Sequence, residues 1–407
     1  MKKLLQLGIE VNSGSTGRIA EQIGETALFY GWESYITFAR GYNPSKSKVI
    51  KIGTKFSIYS HVFQSRMFGN HLHASTSSTK ELINEIEELK PDIIQLHQIH
   101  GYFLNVEVLF KYLSSLTIPV VWTLHDCWAF TGHCCHFSLK SCEKWKTQCQ
   151  ICPQKGAYPK SFFFDRSKSN YNLKKKLFNK LPNLTLVVIS DWLKNLVSES
   201  YLKGLPIQTI NNGVDISVFK PYKNKIEIKE KYNIPDKFMI IGAGTTWTPS
   251  KGLDDYYKMQ EALGSDCVLV LVGISEKLKK CLPIDIIGIT RTENMKELAM
   301  LYSAADVLTA PSYLEAFGLT PIEAFACGTP AIVYNSTALP ELVTDNVGFI
   351  VEPGDIKELI NAIYKVKMLG KSNFTRHCIE RAKLVYDKEK KNMEYLNLYT
   401  SLVNKTD

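Results

Sequence analysis

The strongest constraint on the fold is an alternation of short apolar runs with amphipathic stretches of helical period, met twice along the chain. In the first half, Lys3–Val11, Trp32–Ala39, Pro91–His97, Ile118–His125 and Leu184–Ile189 read as strands. Between them, Gly17–Tyr30, Thr79–Leu89, Val106–Leu116 and a stretch from Asp191 read as helices, and Ile19, Ala20, Ile23 and Ala27 give the first an apolar face. Short buried strands separated by helices predict a parallel sheet covered on both faces.

The pattern breaks into turn residues at Ile210-Asn-Asn-Gly-Val-Asp215, and the charged stretch Lys220–Lys231 follows. The plan then repeats, with strands Phe238–Ala243, Cys267–Val272, Ile284–Gly288, Val307–Thr309 and Pro330–Tyr334. The helices of this half are Gly252–Leu263, Met295–Ala304, one after Leu319 and one from Asp355. The expected division is 1–209, carrying a cysteine-rich insertion over 127–160, then 210–387, then a helical tail over 388–407. A chain of 407 residues is long enough for this. The fold class is α/β: two Rossmann-like, doubly wound domains facing a central cleft, with ligands expected outside the strand C-terminal ends.

Composition excludes little. The chain is 45% hydrophobic and 22% charged, as globular proteins are, and the net charge of +9 suits an anionic ligand or an anionic membrane surface. No apolar run is long enough to span a bilayer. The N-terminus resembles a signal peptide for a few residues only, because Glu10 interrupts its short apolar run. It is read as a first strand, the protein as cytoplasmic, and disulfides are not expected. Nucleic acid is not an expected partner, since no recognition motif or stacking platform is present.

The richest stretch is Ser312–Ile332, SYLEAFGLTPIEAFACGTPAI. It follows the apolar run Asp306–Pro311. Thr320 reads as a helix N-cap, Pro321 as the first helical residue, Glu323 as a capping-box glutamate and Gly328 as the C-terminal stop. Backbone amides at such a start suit a diphosphate, and Glu315 and Glu323 flank them. The plain alternative is that Glu323 caps its own helix and Glu315 is a solvated charge.

Glu315 and Glu323, seven residues apart between them, with Ala-Phe-Gly after the first, resemble the donor site of retaining GT-B glycosyltransferases of family GT4. The resemblance covers most of the chain and is sharpest from Gly242 to Glu341. It implies a sugar transfer from a nucleoside diphosphate, UDP- or GDP-linked, with Phe317, Gly318, Leu319 and Thr320 around the diphosphate. It implies that Glu315 holds sugar hydroxyls, Glu323 the ribose, and Lys251 the diphosphate. The family's usual Arg before that Lys is missing from Gly244–Ser250, and Arg291 is the expected substitute. Gly14 and Gly17, in a Gly/Ser turn after the first strand, resemble the family's flexible glycine loop. His125, ending a strand, resembles the family histidine that contacts the donor sugar. His97 and His100 end the preceding strand and read as acceptor-side residues. Within the family, the stretch His125–His133 is similar to colanic-acid-type, exopolysaccharide-building enzymes. The acceptor is then a glycan or a lipid-linked sugar, with peripheral contact at the inner face of the cytoplasmic membrane. The tail would return to the N-terminal domain. Absence of Asp-x-Asp argues against a catalytic metal of the kind used by GT-A enzymes.

Six of ten cysteines crowd into Cys127–Cys152. Cys149-x-x-Cys152 is a two-ligand knuckle that Cys134 and Cys142 would complete as a structural zinc site, with Cys135, His133 and His136 as substitutes. Reduced thiols in a Trp-rich loop, or an iron–sulfur cluster, are the alternatives. The other cysteines, Cys267, Cys281, Cys327 and Cys378, read as small core residues. Lysines at 174–176, 223–231 and 388–391 read as solvated faces or, if membrane contact occurs, as part of it. Two rival functions stand beside the transferase: a GT-B sugar-nucleotide epimerase, and a non-catalytic zinc-stabilised interaction protein.

Overall fold

The structure, a computed structural model, describes residues 1–405. The chain forms two compact units, one of Met1–Asn211 with Lys391–Asp407, the other of Asn212–Lys390.

The first unit holds seven strands: β1 (Lys3–Leu7), β2 (Glu33–Phe38), β3 (Lys48–Lys51), β4 (Ile93–Leu96), β5 (Val120–Leu124), β6 (Leu184–Val188) and β7 (Ile207–Thr209). Their order across the sheet is β3-β2-β1-β4-β5-β6-β7, and every pairing is parallel. Strands β4, β5 and β6 are buried along their whole length, which is why they read as unbroken apolar runs. The C-terminal helix Lys388–Val403 packs here. Its Tyr395, Leu396, Tyr399 and Val403 join Leu4, Ile93, Val121 and Val187 in one core cluster. Its hydroxyls are paired as well: Tyr399 donates to Gln95 Oε1 at 2.9 Å, and Tyr395 lies 3.2 Å from Thr123 Oγ1.

The second unit holds β8 (Phe238–Ala243), β9 (Cys267–Val272), β10 (Ile286–Ile289), β11 (Val307–Ala310), β12 (Ala331–Tyr334) and β13 (Gly348–Val351). The order is β10-β9-β8-β11-β12-β13, again parallel throughout. Both sheets therefore reverse their strand order at one point, between β1 and β4 in the first and between β8 and β11 in the second. Such a reversal leaves a crevice at the strand C-terminal ends, because the connections on its two sides run to opposite faces.

Several elements differ from the sequence expectation. Strand β3 has a largely exposed, lysine-bounded pattern, so it carries no apolar run to read. The helix Lys55–Phe68 escapes notice because its aromatics face outward: Phe56 is 82% exposed and Tyr59 72%. The expected strand Ile284–Gly288 begins two residues later, and Ile284 is left in solvent. Helices Ser167–Phe178 and Ser372–Val385 are further additions. Lys174, expected on a solvated face, is fully buried. Cys281, expected in the core, is exposed, whereas Cys267, Cys327 and Cys378 are buried.

Candidate active site

In the second unit, the loops after β8 and β11 leave the sheet side by side at the reversal point. Lys251 ends a one-turn 3-10 segment, Pro249–Lys251, and Gly252 starts the helix Leu253–Ala262 with φ +72°. Only glycine fits there: a Cβ would lie 2.1 Å from the Pro311 carbonyl oxygen, and that φ disfavours other residues. The close approach locks the two loops together, and Tyr313 N–H donates to Ser250 O at 2.9 Å. Lys251 Nζ consequently meets Glu315 Oε1 as an ion pair. Glu315 is held by its own backbone, its N–H donating to Thr337 Oγ1 at 2.9 Å and its carbonyl accepting from Ala338 N–H at 3.2 Å.

Buried Asp255 ties this helix to the neighbouring loops by accepting from Tyr313 at 2.7 Å and Tyr334 at 3.0 Å. Tyr256 donates to the Thr309 carbonyl on β11. Trp247 occupies the place where a second cation was sought. Its Nε1 donates to Val272 O at 3.2 Å, and its ring meets Tyr256 edge-on at 5.3 Å. Arg291 is exposed, after edge strand β10, and β9 separates that strand from β8.

The next helix is Leu319–Ala326, and its cap is Gly318, with φ +104°, not Thr320. No side chain caps this start. The first amides of a helix have no partner within it, so they are disposed toward an external acceptor. Glu323 lies a turn inside the helix rather than at the capping-box position, and Tyr302 donates to its Oε2 at 3.1 Å. Phe317 is buried with its ring against Tyr386, which leaves only its backbone to face a ligand.

In the first unit, His97 follows β4 and His125 follows β5. The hydrogen bonds fix their tautomers. Gln6 Nε2 donates to Ala20 O at 2.8 Å, so Gln6 Oε1 accepts from His97 Nε2 at 3.0 Å. His97 Nδ1 is then an acceptor, and His125 Nε2 donates to it at 3.3 Å. The remaining nitrogen of neutral His125, Nδ1, carries a lone pair. Burial holds His125 down to about 4 and His97 well below the usual imidazole range, so both are neutral near pH 7.

His100 belongs to a different group. Its Nε2 lies 2.9 Å from Asp126 Oδ2, and Tyr158 donates to its carbonyl at 2.8 Å. Asp126 also accepts from Trp128 N–H at 2.8 Å. His100 and these hydrogen bonds draw the Asp126 carboxyl well below its ordinary range, although burial opposes them. The glycine loop is shorter than expected, since the first helix begins at Gly14 and Gly17 lies inside its first turn. Arg18 Nε donates to Gly14 O at 2.8 Å.

Sequence reasoning missed the supporting residues. Gln6, Asp255, Tyr302, Tyr158 and Thr337 act through hydrogen bonds to partners far along the chain, for which spacing gives no sign. Asp126 was the exception in principle, because it directly follows a histidine at a strand end.

Two parallel-sheet units, each with polar side chains gathered at its reversal point, are the architecture of the GT-B fold. Residues 34–218 match the family described as Glycosyltransferase Family 4, and residues 224–385 match Glycosyl transferases group 1. The chain is 23% identical, over 421 residues, to the putative colanic acid biosynthesis glycosyl transferase WcaC of Escherichia coli (strain K12). That alignment covers 98% of this chain and 100% of the relative. Among solved structures, sucrose-phosphate synthase from Thermosynechococcus elongatus aligns with a TM-score of 0.73 at 17% identity, over 100% of each chain. Anabaena HepE in complex with UDP-glucose aligns with a TM-score of 0.68 at 15% identity, over 98% of this chain and 100% of that one. The chain belongs to the family 4 glycosyltransferases.

Proposed function

We propose that the protein is a retaining glycosyltransferase. It moves a sugar from a UDP- or GDP-linked donor to a hydroxyl of a glycan or lipid-linked acceptor in surface or exopolysaccharide assembly. The observation that carries this reading is the Lys251–Glu315 pair at the β8/β11 reversal, beside the helix start at Gly318 that no side chain caps. Cation and helix-start amides suit a diphosphate, and the carboxylate suits sugar hydroxyls. The HepE structure with UDP-glucose and the name of the WcaC relative point the same way.

In this reading Lys251 and the amides of Phe317, Gly318, Leu319 and Thr320 hold the diphosphate as charge develops on it. Glu315 holds sugar hydroxyls, and Glu323, oriented by Tyr302, holds the ribose. His125 accepts a sugar hydroxyl through Nδ1. His97 orients His125, and His100 lines the acceptor side with Asp126. Gly14, Gly17 and Arg291 are further donor contacts in this reading. The bond from the anomeric carbon to the leaving phosphate oxygen breaks. The acceptor oxygen bonds that carbon on the same face, and its proton passes to the leaving phosphate. No catalytic metal enters this reading, while a structural zinc on the cysteine-rich segment accompanies it independently.

A lipid-linked acceptor is supported by one surface. On the helix Lys55–Phe68, Phe56, Tyr59 and Phe63 share an exposed face. Phe68 meets Phe63 edge-on and Phe164 at a tilt, and Phe162 and Phe163 are exposed beside Phe164. Lys55, Arg66, Lys160 and Arg166 are exposed around them. Aromatic rings within a basic rim suit an anionic bilayer surface. Among the described residues no helix is long and apolar enough to cross a membrane. The proposed location is therefore the inner face of the cytoplasmic membrane, by peripheral contact. The lysine clusters considered for this contact suit it less. Lys174 is buried, Lys231 pairs with Glu293 and Glu297, and Lys388 pairs with Asp215 at 2.8 Å.

The test is a transfer assay with UDP- and GDP-sugars and polyprenyl-linked acceptors, reading the anomeric configuration of the product by NMR. An axial donor linkage kept in the product supports retention. Inversion contradicts it, and conversion of the donor alone, without acceptor, favours an epimerase.

A further inference from the structure

Between β5 and the helix Ser167–Phe178 the chain runs through a long segment with only short turns of helix: Trp128–Phe130, Ser138–Lys140 and Lys144–Thr147. Segments of this length without regular structure need some other source of order. Part of it is aromatic. Trp128, Phe130 and Trp145 are fully buried, and Phe137 stacks on Trp145 at 4.8 Å. Beside these rings lie four cysteines, together with Thr131, His133 and Ser167. Cys134, Cys142, Cys149 and Cys152 line one cavity of about 10 Å³, room for a single small occupant. Cys134 and Cys152 are in hydrogen-bond contact, and Cys149 lies within electrostatic reach of Cys142, Cys152 and Cys134.

Lys174 reaches into the same region from the following helix and is wholly buried. Its Nζ donates to Trp128 O at 2.8 Å and Thr131 O at 3.2 Å, and lies 3.4 Å from the centre of the Trp128 ring. These contacts satisfy its hydrogen bonds but supply no formal negative charge. Burial draws Lys174 down to about 7, so the group is not a fixed ammonium. Asp126 is within electrostatic range but is hydrogen-bonded to His100 and Trp128 N–H. Lys174 also interacts with the thiols of Cys135, Cys149 and Cys134 and with His71 and His133. Four thiolates on a divalent cation carry a net charge of about −2.

We propose that Cys134, Cys142, Cys149 and Cys152, which line this cavity, bind one structural zinc ion as a tetrathiolate beside the buried Lys174. Binding releases the four thiol protons to solvent, and no electron changes hands. Among the described residues the four sulfurs are not already gathered within 4.8 Å of one another, so binding would draw their side chains together on the ion. The consequence is local order. The zinc fixes the segment that ends in Tyr158, whose hydroxyl holds the His100 carbonyl, and so it sets the wall behind His100 and Asp126. A second group, His100, Asp126 and Cys135, offers three ligand atoms within 4.8 Å of one another. Its His100 and Asp126 already hold each other at 2.9 Å, so it has less need of a metal.

The test is metal analysis of the full chain purified without added metal or chelator, followed by cobalt substitution. One zinc per chain is expected, with intense thiolate-to-cobalt charge-transfer absorption in the cobalt form. Cys149→Ser and Cys152→Ser should lose the metal, and Cys135→Ala should keep it. Lys174→Met should keep the site but release zinc to a competing chelator at least about tenfold more readily, the scale of one lost buried charge interaction. Iron in place of zinc, a disulfide among the four cysteines, no metal above buffer level, or loss of metal only in Cys135→Ala would each overturn the assignment. If Lys174→Met does not fold, the wild-type metal content and cobalt spectrum still decide it. None of these readouts depends on sugar transfer.

Discussion

The Glu315 carboxylate holds the Lys251 ammonium across the gap between the loops that follow β11 and β8. Their side chains are 20% and 34% exposed. A pair this open to water is worth about 1 kcal/mol or less, so stability is a poor reason for it. Orientation is a better one, since the pair aims a cation and a carboxylate at one place before a ligand arrives. Lys251→Ala is therefore expected to lower kcat/KM by about 10²–10³, the cost of removing one preorganised charge donor. Its Tm should fall by no more than about 4 °C. Steady-state kinetics with calorimetry checks both, and a large loss of stability with intact kinetics would reverse the assignment.

Gly252→Ala should damage the site without touching any charge. Its φ of +72° and the 2.1 Å approach of a Cβ to Pro311 O force the Lys251 loop off β11. The strain alone costs about 1–3 kcal/mol. A lower Tm together with a raised donor KM is expected; an unchanged KM would mean that the loop can shift without disturbing Lys251.

Much of this was legible beforehand. The βα alternation gave both parallel sheets, because strands buried on two faces must be apolar throughout. Lys251 and Glu315 could be named because each follows a readable strand. The helix start could not be placed correctly. Thr320 and Pro321 form a good local N-terminal signal, yet the chain turns at Gly318, where a Cβ would meet Leu339 at 2.8 Å. Tertiary packing decided the cap. The Gln6–His97–His125 relay was likewise invisible, since its parts come from three strands. Lys174 misled because a lysine in a basic run normally lies in water.

The buried histidines make an acid-sensitive fold. His61, His125 and His133 are each held down to about 4 by burial, against an ordinary value of 6.5. Between those values the unfolded chain binds protons that the folded chain refuses, so stability falls as pH falls from 6.5 toward 4. Above 6.5 these groups contribute no slope. Thermal melts should show a steady decline of Tm below pH 6.5, shallower in His61→Gln. A Tm that stays level to pH 4.5 would contradict these protonation states.

The relay predicts a positional effect of His97. Replacing it by Phe removes the acceptor that orients His125 Nε2–H, so kcat should fall about tenfold, at the lower end for a single positioning contact. Donor affinity should change little. An equal loss in nucleotide binding would show that His97 matters to the fold of the unit instead.

The exposed aromatics can be tested apart from chemistry. Phe56→Ser with Phe63→Ser should abolish flotation with phosphatidylglycerol vesicles while turnover of a water-soluble acceptor analogue is kept. Equal flotation of variant and wild type would remove this face from membrane binding.

The central claim is the donor site at the β8/β11 reversal, and ligand-dependent melting tests it most directly. UDP, GDP and their sugars are titrated against wild type, Lys251→Ala and Glu315→Ala, since a ligand that binds only the folded state raises Tm by mass action. One nucleotide family should raise the wild-type Tm, with the sugar conjugate exceeding the bare diphosphate. Lys251→Ala should weaken both responses, and Glu315→Ala only the increment due to the sugar. No shift with any nucleotide, or the same shifts in all three proteins, would contradict the account.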